Sequence, residues 1–366
     1  MTEQNIRGNR GEWSEIYVFF KLLADGKLFA ADENLNKLTN IFYPIIKIIR
    51  NEVNGKWEYY RNSSIKIVEA STQKLINKIP IAKFNKNAED LLNGIKGSSS
   101  RSFSIPATER FMNSIKCQTL KANPQEKKDI TIMVHDIRTG LNPTLGFSIK
   151  SQLGGASTLL NANKASTNFV YLIENLDLNR EQIESINLIR GRSKIKNRLE
   201  NLTEKGAKLK FVKIEKESLE LNLKLIDSRL PEIIATILLI YFTTKYNTFE
   251  DLIKKVKQIN PCGFNLDASH PFYEYKIKNL LTDIALGMTP ASIWDGRYDA
   301  TGGIIIVRED GEVLCYHIYN RNEFQDYLIK NTKLDTPSSS RHEYGEIYQE
   351  DGLLYFKLNL QIRFIK

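Results

Sequence analysis

The stretch Lys127–Leu153, KKDITIMVHDIRTGLNPTLGFSIKSQL, predicts a β-hairpin around which the rest of the chain can be placed. Apolar residues alternate along both arms, at Ile130, Ile132 and Val134 in the first and at Phe147 and Ile149 in the second. Gly, Asn and Pro between the arms supply turn residues. Since successive side chains of a strand point to opposite faces, we expect two antiparallel arms that share one buried face.

The polar residues of the two arms then fall together on the opposite face. Parity places Asp129 of the first arm on the side of Ser148, Lys150 and Gln152 of the second. This arrangement resembles the PD-(D/E)xK nuclease motif, in which an Asp opens one strand and an acidic-x-Lys pair lies on the next. There the carboxylates hold Mg²⁺ against the scissile phosphate and the Lys positions the attacking water. Ser148 departs from the pattern, because a neutral hydroxyl occupies the place of the acid.

Two other interpretations of the hairpin stay open. The spacing Asp-x18-Ser-x-Lys occurs by chance in many sequences, and an ordinary hairpin with a solvated charged face also satisfies it. Asp136 is an alternative metal-binding carboxylate, but its parity matches the apolar residues of its strand. We therefore favour Asp129.

Composition indicates a globular protein with an anionic partner. The chain has 366 residues, 42% hydrophobic and 26% charged, enough for one large core or two smaller ones. Its 52 Lys and Arg against 43 Asp and Glu give a net charge of +9, which favours anionic partners. Three isolated cysteines predict neither a disulfide framework nor a zinc ribbon and suit the reducing cytoplasm. The most apolar run, Ile233–Phe242, is too short to span a bilayer.

A helix is predicted from Gly11 to Leu23, with an apolar stripe that contains Trp13 and Phe20. Glu15 lies at the shoulder of this stripe, where a carboxylate is costly unless it is paired or binds a metal. The string RGEWSE resembles the first helix of several PD-(D/E)xK nucleases, in which a Glu contributes to the metal site. Glu15 could thus replace the charge that Ser148 lacks. Alternatively, Glu12 and Glu15 only stabilise the positive N-terminus of the helix.

Three turn-rich segments offer side chains suited to DNA contacts. They are residues 94–106 with Arg101, residues 153–168 with Asn161 and Asn168, and residues 333–345 with Arg341 and His342. Small polar groups can contact phosphates or base edges, and Arg is the side chain best shaped for bidentate contact with guanine. We expect these five residues to bind DNA.

The element order predicts an α+β fold with a PD-(D/E)xK-like αβββαβ core over residues 1–216. Helices are predicted over 43–52, 71–77, 108–116 and 180–202, and strands over 65–68, 169–173 and 208–214. In this interpretation the hairpin arms and the strand at 169–173 are the three strands, followed by the helix at 180–202 and the strand at 208–214. Residues 217–366 form a second, mixed helix and β-hairpin subdomain, predicted to recognise DNA.

Several strings along the chain together resemble the HpaII family of type II restriction endonucleases. They are GNRGEWSE near the start, GFSIKSQLG, LLNA and TNF in the middle, and DTPSSSRHEYG and LNLQIRF near the end. The resemblance implies Mg²⁺-dependent cleavage of duplex DNA at a short palindrome, CCGG in the type member. It also implies a cognate methyltransferase as a functional partner. A palindromic target favours a homodimer, although a monomer that cuts one strand at a time would also satisfy it.

The residues then take the following expected roles. Asp129 is the principal Mg²⁺ ligand, and the Ile149 carbonyl adds a second oxygen. Lys150 holds the attacking water and stabilises charge on the phosphate, while Ser148, Gln152 and Glu15 support them.

Two alternatives belong to other classes. One is a nuclease with His135 or His342 as general base, although neither has the His/Asn spacing of a metal finger. The other is a DNA-binding protein without catalytic activity.

Overall fold

The computed structural model describes residues 6–121 and 128–366, so Lys127 lies outside the described part of the hairpin stretch. The helices of this part are α1 Arg10–Asp25, α2 Ile81–Gly97, α3 Pro106–Ser114, α4 Arg180–Asn187, α5 Lys194–Glu204, α6 Glu217–Ile226, α7 Leu230–Thr243, α8 Phe249–Ile259, α9 Phe272–Leu286, α10 Arg321–Asn331 and α11 Ser339–His342. The strands are β1 Lys27–Ala31, β2 Lys37–Glu52, β3 Gly55–Arg61, β4 Ile65–Glu69, β5 Leu75–Ile79, β6 Ile130–Val134, β7 Thr144–Ser151, β8 Thr158–Leu160, β9 Asn168–Glu174, β10 Lys208–Ile214, β11 Gly303–Val307, β12 Val313–His317, β13 Thr332–Leu334, β14 Ile347–Glu350, β15 Leu353–Asn359 and β16 Ile362–Phe364.

The predicted hairpin is confirmed and lies inside the largest sheet. Its arms, β6 and β7, pair antiparallel with Ile130 opposite Phe147. The nine strands follow the order β1-β12-β11-β7-β6-β2-β3-β4-β5, and β1 pairs with β2 as well as β12. β11 runs parallel to β7, so the second arm is held on both edges.

The helix predicted over residues 43–52 is wrong, because this segment belongs to the long strand β2. Its Ile-rich sequence carries β-branched side chains that suit a pleated surface, and β2 pairs with both β3 and β6. Backbone pairing with two neighbours outweighs a short apolar pattern that also fits a helical period.

Two further secondary-structure predictions need correction. Residues 71–77 form a turn and the start of β5 rather than a helix. The helix predicted over 180–202 is interrupted between α4 and α5, where Gly191 adopts a φ of 105° that a helix cannot contain. The helices predicted over 11–23 and 108–116 and the strands at 65–68, 169–173 and 208–214 are confirmed, with ends shifted by up to two residues.

The boundary predicted at residues 216/217 is not supported, because strands from both sides share sheets. The hairpin β11-β12 joins the sheet of β6 and β7, whereas β9 and β10 form a second sheet in the order β10-β9-β15-β14. A third sheet follows the order β13-β16-β8. The strands at 169–173 and 208–214 are therefore not the continuation of the hairpin sheet that the sequence suggested.

Alternate residues of β11 serve two hydrophobic cores. Ile305 and Val307 pack with α1 in one core, and Ile304 and Ile306 pack with α9 in the other. α1 therefore covers the face of the main sheet on which Phe147 and Ile149 lie. In the described ranges, no helix has the length and apolar character needed to cross a membrane.

Candidate active site

Asp129 lies immediately before β6 and bends its carboxylate towards β7. Its Oδ2 accepts hydrogen bonds from the Ile149 backbone N–H at 2.6 Å and from Ser148 Oγ at 3.1 Å. Ser148 is buried, so its hydroxyl acts as a fixed donor to Asp129 rather than an exposed ligand. The hydroxyl thereby stabilises the ionised carboxylate that an acid in its place would repel.

The backbone of Ile149 is available for this contact because pairing with β6 stops two residues earlier, at Phe147. The register between the arms ends at Ile130 opposite Phe147, which leaves the Ile149 N–H without a partner on β6. The N–H and C=O of one strand residue face the same neighbouring strand. The Ile149 carbonyl therefore points to the edge at which Asp129 stands, while its side chain is packed in the core.

Lys150 follows on β7 and lines the same open cleft as Asp129. Gln152 does not line this cleft but a second, small pocket, together with Lys150, Tyr327 and Phe364. Parity therefore placed Asp129, Ser148 and Lys150 together correctly, whereas Gln152 does not line the cleft.

The N-terminal helix borders the cleft and is tied to the end of β7. Arg10 Nη1 donates to the Leu153 carbonyl at 3.2 Å, and Ser14 Oγ donates to Ser151 Oγ at 2.8 Å. These two contacts fix α1 against the strand that carries Lys150. They hold Glu15, one residue after Ser14, in the lining of the cleft with Asp129.

The two acidic residues of the helix have different roles. Glu12 caps the helix, since its Oε2 accepts from the Asn9 N–H at 2.6 Å and its own N–H donates to Asn9 Oδ1 at 3.1 Å. Glu15 lies beyond the first turn and is half-buried. The capping alternative therefore applies to Glu12 only.

Burial, followed by the charge of Asp129, raises the pKa of Glu15 from 4.5 to about 8. Arg50, Lys121 and Lys150 act in the opposite direction but do not cancel this shift. Two carboxylates thus share one site that cations only partly neutralise.

The donors of this site fit a hard divalent cation. Asp129 and Glu15 repel one another, and a cation between them would relieve that repulsion. The Ile149 carbonyl adds a neutral oxygen, and Mg²⁺ needs few protein ligands because it retains several waters. No cluster of three or more His, Cys, Asp or Glu side chains occurs within residues 6–121 and 128–366, so these oxygens would share the cation with water and substrate.

The cleft has two walls above this floor. They are lined by the start of α1, residues 99–101, Lys121, residues 154–158, Asn161 and Arg363. Of the five predicted DNA-binding residues, Arg101 and Asn161 are exposed in these walls.

Asn168 does not present its side chain to DNA. It is fully buried, and its Nδ2 donates to Glu215 Oε2 at 2.7 Å and to the His342 carbonyl at 3.1 Å. Its Oδ1 accepts from Asn359 Nδ2 at 2.6 Å. Through these hydrogen bonds the Asn168 amide joins the start of β9 to β15 and to the DTPSSSRHEYG segment. The prediction that the Asn168 side chain contacts DNA is therefore wrong.

Arg341 and His342 form the end of α11 and are not among the residues that line the cleft. Arg341 is exposed. Burial and, next, the charge of Arg341 lower the pKa of His342, and its Nδ1 is buried without a hydrogen-bond partner. Neither residue is therefore placed to act on a phosphate held beside Asp129.

His135 and Asp136 lie at the opposite end of β6 from Asp129, roughly 20 Å away along an extended strand. His135 Nδ1 shares a 2.9 Å hydrogen bond with Asn142 Oδ1. The Asp136 carboxylate accepts from the Arg138 N–H and from Thr139 Oγ1, each at 2.9 Å, and thus closes the hairpin turn. Asp136 is therefore not among the residues that line the cleft, whereas Asp129 lines it with Glu15 and Lys150.

Sequence reasoning missed Arg10, Lys121 and Arg363, which also line the cleft. Lys121 forms an ion pair with Glu12, with Nζ 2.6 Å from Oε1. GNRGEWSE and LNLQIRF contain Arg10 and Arg363, so the signal was present, but only the folded chain brings these strings beside GFSIKSQLG.

Comparison with known proteins identifies the family of the chain. The family model described as HpaII restriction endonuclease matches residues 9–364. The chain is 50% identical over 361 residues to "Type II restriction enzyme HpaII" of Haemophilus parainfluenzae, an alignment that covers 98% of each protein. No solved structure matches.

Proposed function

The chain belongs to the HpaII restriction endonuclease family and is a type II site-specific deoxyribonuclease, and we propose that it hydrolyses duplex DNA at the palindrome CCGG with Mg²⁺. The observation that carries the proposal is the meeting of Asp129, Glu15 and Lys150 in one open cleft. The enzyme identity rules out a DNA-binding protein without catalytic activity.

The topology supports a PD-(D/E)xK-like core built from different strands than the sequence suggested. The elements α1, β2, β6, β7, α9 and β11 follow the order αβββαβ. Their strands are neighbours in the order β2-β6-β7-β11, and α1 and α9 cover opposite faces. β11 is thus the last strand of this core, the position that the sequence predicted for residues 208–214, which form β10.

We assign the Mg²⁺ to Asp129, Glu15 and the Ile149 carbonyl. When bound there, it would supply Lewis-acid stabilisation of the scissile phosphate and a more acidic water. Ser148 Oγ and the Ile149 N–H orient the Asp129 carboxylate. The Lys150 ammonium is placed to hold the attacking water and to donate to a phosphate oxygen as negative charge develops there. Gln152 does not line the cleft, so we assign it only an indirect supporting role, through its contact with the same small pocket as Lys150.

The proposal is tested by incubating the protein with a plasmid that contains CCGG sites, in Mg²⁺ and in EDTA. Sequencing of the fragment ends should place every cut within CCGG, and EDTA should abolish cutting. Cuts at unrelated sequences, or undiminished cutting in EDTA, would contradict the proposal. The variants His135→Ala and His342→Ala distinguish the proposed mechanism from one with a His general base. We expect both variants to cut, whereas loss of cleavage in one of them would support the His-centred mechanism.

The same proposal includes the biological context. A palindrome is read most simply by a symmetric homodimer, and sedimentation with and without a CCGG duplex measures the assembly. We propose that a cognate methyltransferase protects the host sites and that the enzyme acts in the cytoplasm. Cleavage of unmethylated but not methylated CCGG duplexes would support such a pairing.

Ser148 offers a first prediction, because its hydroxyl supports Asp129 from a buried position. We expect Ser148→Ala to lower cleavage by roughly 10- to 100-fold, as loss of a hydrogen bond to a metal ligand does elsewhere. Ser148→Asp restores the acidic motif but buries a second carboxylate beside Asp129, so it should be less active than Ser148→Ala. Single-turnover cleavage rates measure both. A Ser148→Asp enzyme faster than wild type would show that the site lacks an acid.

The burial of Glu15 predicts that, without metal, the difference in stability between wild type and Glu15→Gln depends on pH. Its folded pKa of about 8 exceeds 4.5, so the folded state binds a proton that the unfolded state releases between these values. The Glu15 contribution to stability therefore falls as pH rises from 4.5 to 8. Glu15→Gln should be the more stable protein in EDTA, by a margin that grows across this range and is constant above pH 8.

Urea unfolding at several pH values measures this margin. Glu204→Gln, at an exposed position on α5, is the control and should show no such trend. Mg²⁺ should reduce the advantage of Glu15→Gln, because it stabilises the ionised wild-type side chain. A margin independent of pH would contradict the placement of Glu15 beside Asp129.

A further inference from the structure

Arg363 projects from the three-stranded sheet into the cleft. It is the central residue of β16, opposite Lys333 of β13 and next to Thr158 of β8. Arg363 lines the same cleft as Asp129 and Lys150. A group in this position would meet DNA whose scissile phosphate lies at the floor.

The guanidinium of Arg363 is held in place by an acidic neighbour. Its Nε lies 2.8 Å from Asp335 Oδ2 in an ion pair that lacks hydrogen-bond geometry, and its Nη1 donates to the Ala156 carbonyl at 3.5 Å. Asp335 opens the DTPSSSRHEYG string, and its N–H donates to the Gln361 carbonyl at 3.2 Å. The Arg363 side chain remains 36% exposed, so the fixed guanidinium still reaches solvent.

The other two cleft arginines differ from Arg363 in these respects. Arg10 donates both Nη groups to carbonyls, of Leu153 and Ser98, and is committed to holding α1 in place. Arg101 is exposed in a loop. Arg363 therefore combines an oriented guanidinium with exposure towards the substrate.

This pairing suits a base edge better than a phosphate. The Asp335 carboxylate offsets the charge of Arg363 and would repel a nearby phosphate, which weakens the pair as a backbone contact. Orientation, in contrast, is what bidentate recognition of guanine O6 and N7 requires. A CCGG site consists only of G·C pairs and presents these acceptors in the major groove.

We propose that Arg363 reads a guanine of the target in the major groove and that Asp335 is its positioning residue. The inference rests on the proposed CCGG specificity and adds to it the side chain that distinguishes guanine. It moves base recognition from Arg341, which lies outside the cleft lining, to the LNLQIRF string.

The test removes the N7 acceptor of the guanine and the guanidinium donor of Arg363, first separately and then together. Duplexes with one CCGG site carry 7-deazaguanine, which lacks the N7 acceptor, at either guanine of each strand. With wild-type enzyme, one of the two positions should lower kcat/KM by about 5- to 150-fold. With Arg363→Ala, whose activity on normal DNA is already reduced, the same modification should have an effect of less than about twofold.

Two variants separate recognition from structural damage. Asp335→Asn keeps the size of the side chain but loses its charge, and it should reduce the 7-deazaguanine effect while Arg363 is still present. Arg341→Ala should keep the full wild-type effect. Circular dichroism and urea unfolding check that each variant is folded.

The outcomes separate this inference from the proposed function. If wild type does not cut CCGG, the proposed function fails before Arg363 is tested. If wild type cuts and Arg363→Ala retains the full 7-deazaguanine effect, the proposed function stands and the inference is overturned. If Arg341→Ala loses the 7-deazaguanine effect and Arg363→Ala keeps it, recognition of the guanine would instead be assigned to α11.

Discussion

Replacing Lys150 by alanine is expected to lower the rate of DNA cleavage by about 10²- to 10⁴-fold, the usual worth of a positioned proton-transfer or charge-stabilising group. Lys150 lines the cleft beside Asp129 and is close enough to Glu15 to lower the pKa of that carboxyl. In the proposed mechanism its ammonium stabilises the charge that develops on the phosphate during hydrolysis. Removing it takes away a contact that matters most in the transition state.

DNA binding should change much less than cleavage. Lys150 supplies one of several positive charges in the cleft, so its loss should reduce the salt dependence of binding by about one charge. Fluorescence anisotropy of a CCGG duplex in EDTA measures binding, and single-turnover cleavage in Mg²⁺ measures the chemical step. Lys254→Ala is the matched control and should cut normally, because Lys254 is an exposed residue of α8 that is paired with Glu250. Cleavage by Lys150→Ala within a few-fold of wild type would contradict the assigned role.

Local patterns predicted the centre of the site because its geometry follows from strand parity. Alternation along β6 and β7 was enough to place Asp129 beside Ser148 and to leave Asp136 at the turn. The sequence also placed Glu15 at the shoulder of an apolar stripe, and in the structure Glu15 stays half-buried on a helix whose other residues are mostly buried.

The rest of the fold depends on contacts between residues distant in sequence. β2 resembled a helix because a short apolar run fits both periods, and only its pairing with β3 and β6 decides between them. β9 follows the hairpin in the chain, yet β11 is the strand that pairs with β7. No local signal distinguishes two apolar strands in this respect.

The walls of the cleft were the least predictable part for the same reason. Asn168 and Asn161 belong to the same polar segment, but one is buried among β-sheet ends and the other is exposed in the cleft. Arg363 and Asp335 meet only because β13 pairs with β16. Polar composition alone cannot separate a side chain that completes the fold from one that faces DNA.

Replacing Asp129 by asparagine should abolish most cleavage and, at the same time, change the ionisation of Glu15. Asparagine can still accept the hydrogen bonds from Ser148 and the Ile149 N–H, so the end of the hairpin should keep its shape. The variant loses only the charge. If Asp129 is the principal ligand, several kcal/mol of transition-state stabilisation disappear, which corresponds to a loss of about 10³-fold or more.

The charge of Asp129 is the second largest cause of the raised Glu15 pKa, after burial. Asp129→Asn should therefore lower that pKa, and in EDTA the stability margin gained by adding Glu15→Gln should level off at a lower pH than in the wild-type background. Urea unfolding of the four proteins of this double-mutant cycle measures the shift. An Asp129→Asn enzyme that loses cleavage but leaves the Glu15 profile unchanged would mean that the two carboxylates do not share a site. Loss of cleavage together with a lower Glu15 pKa would instead show that the two carboxylates share one site.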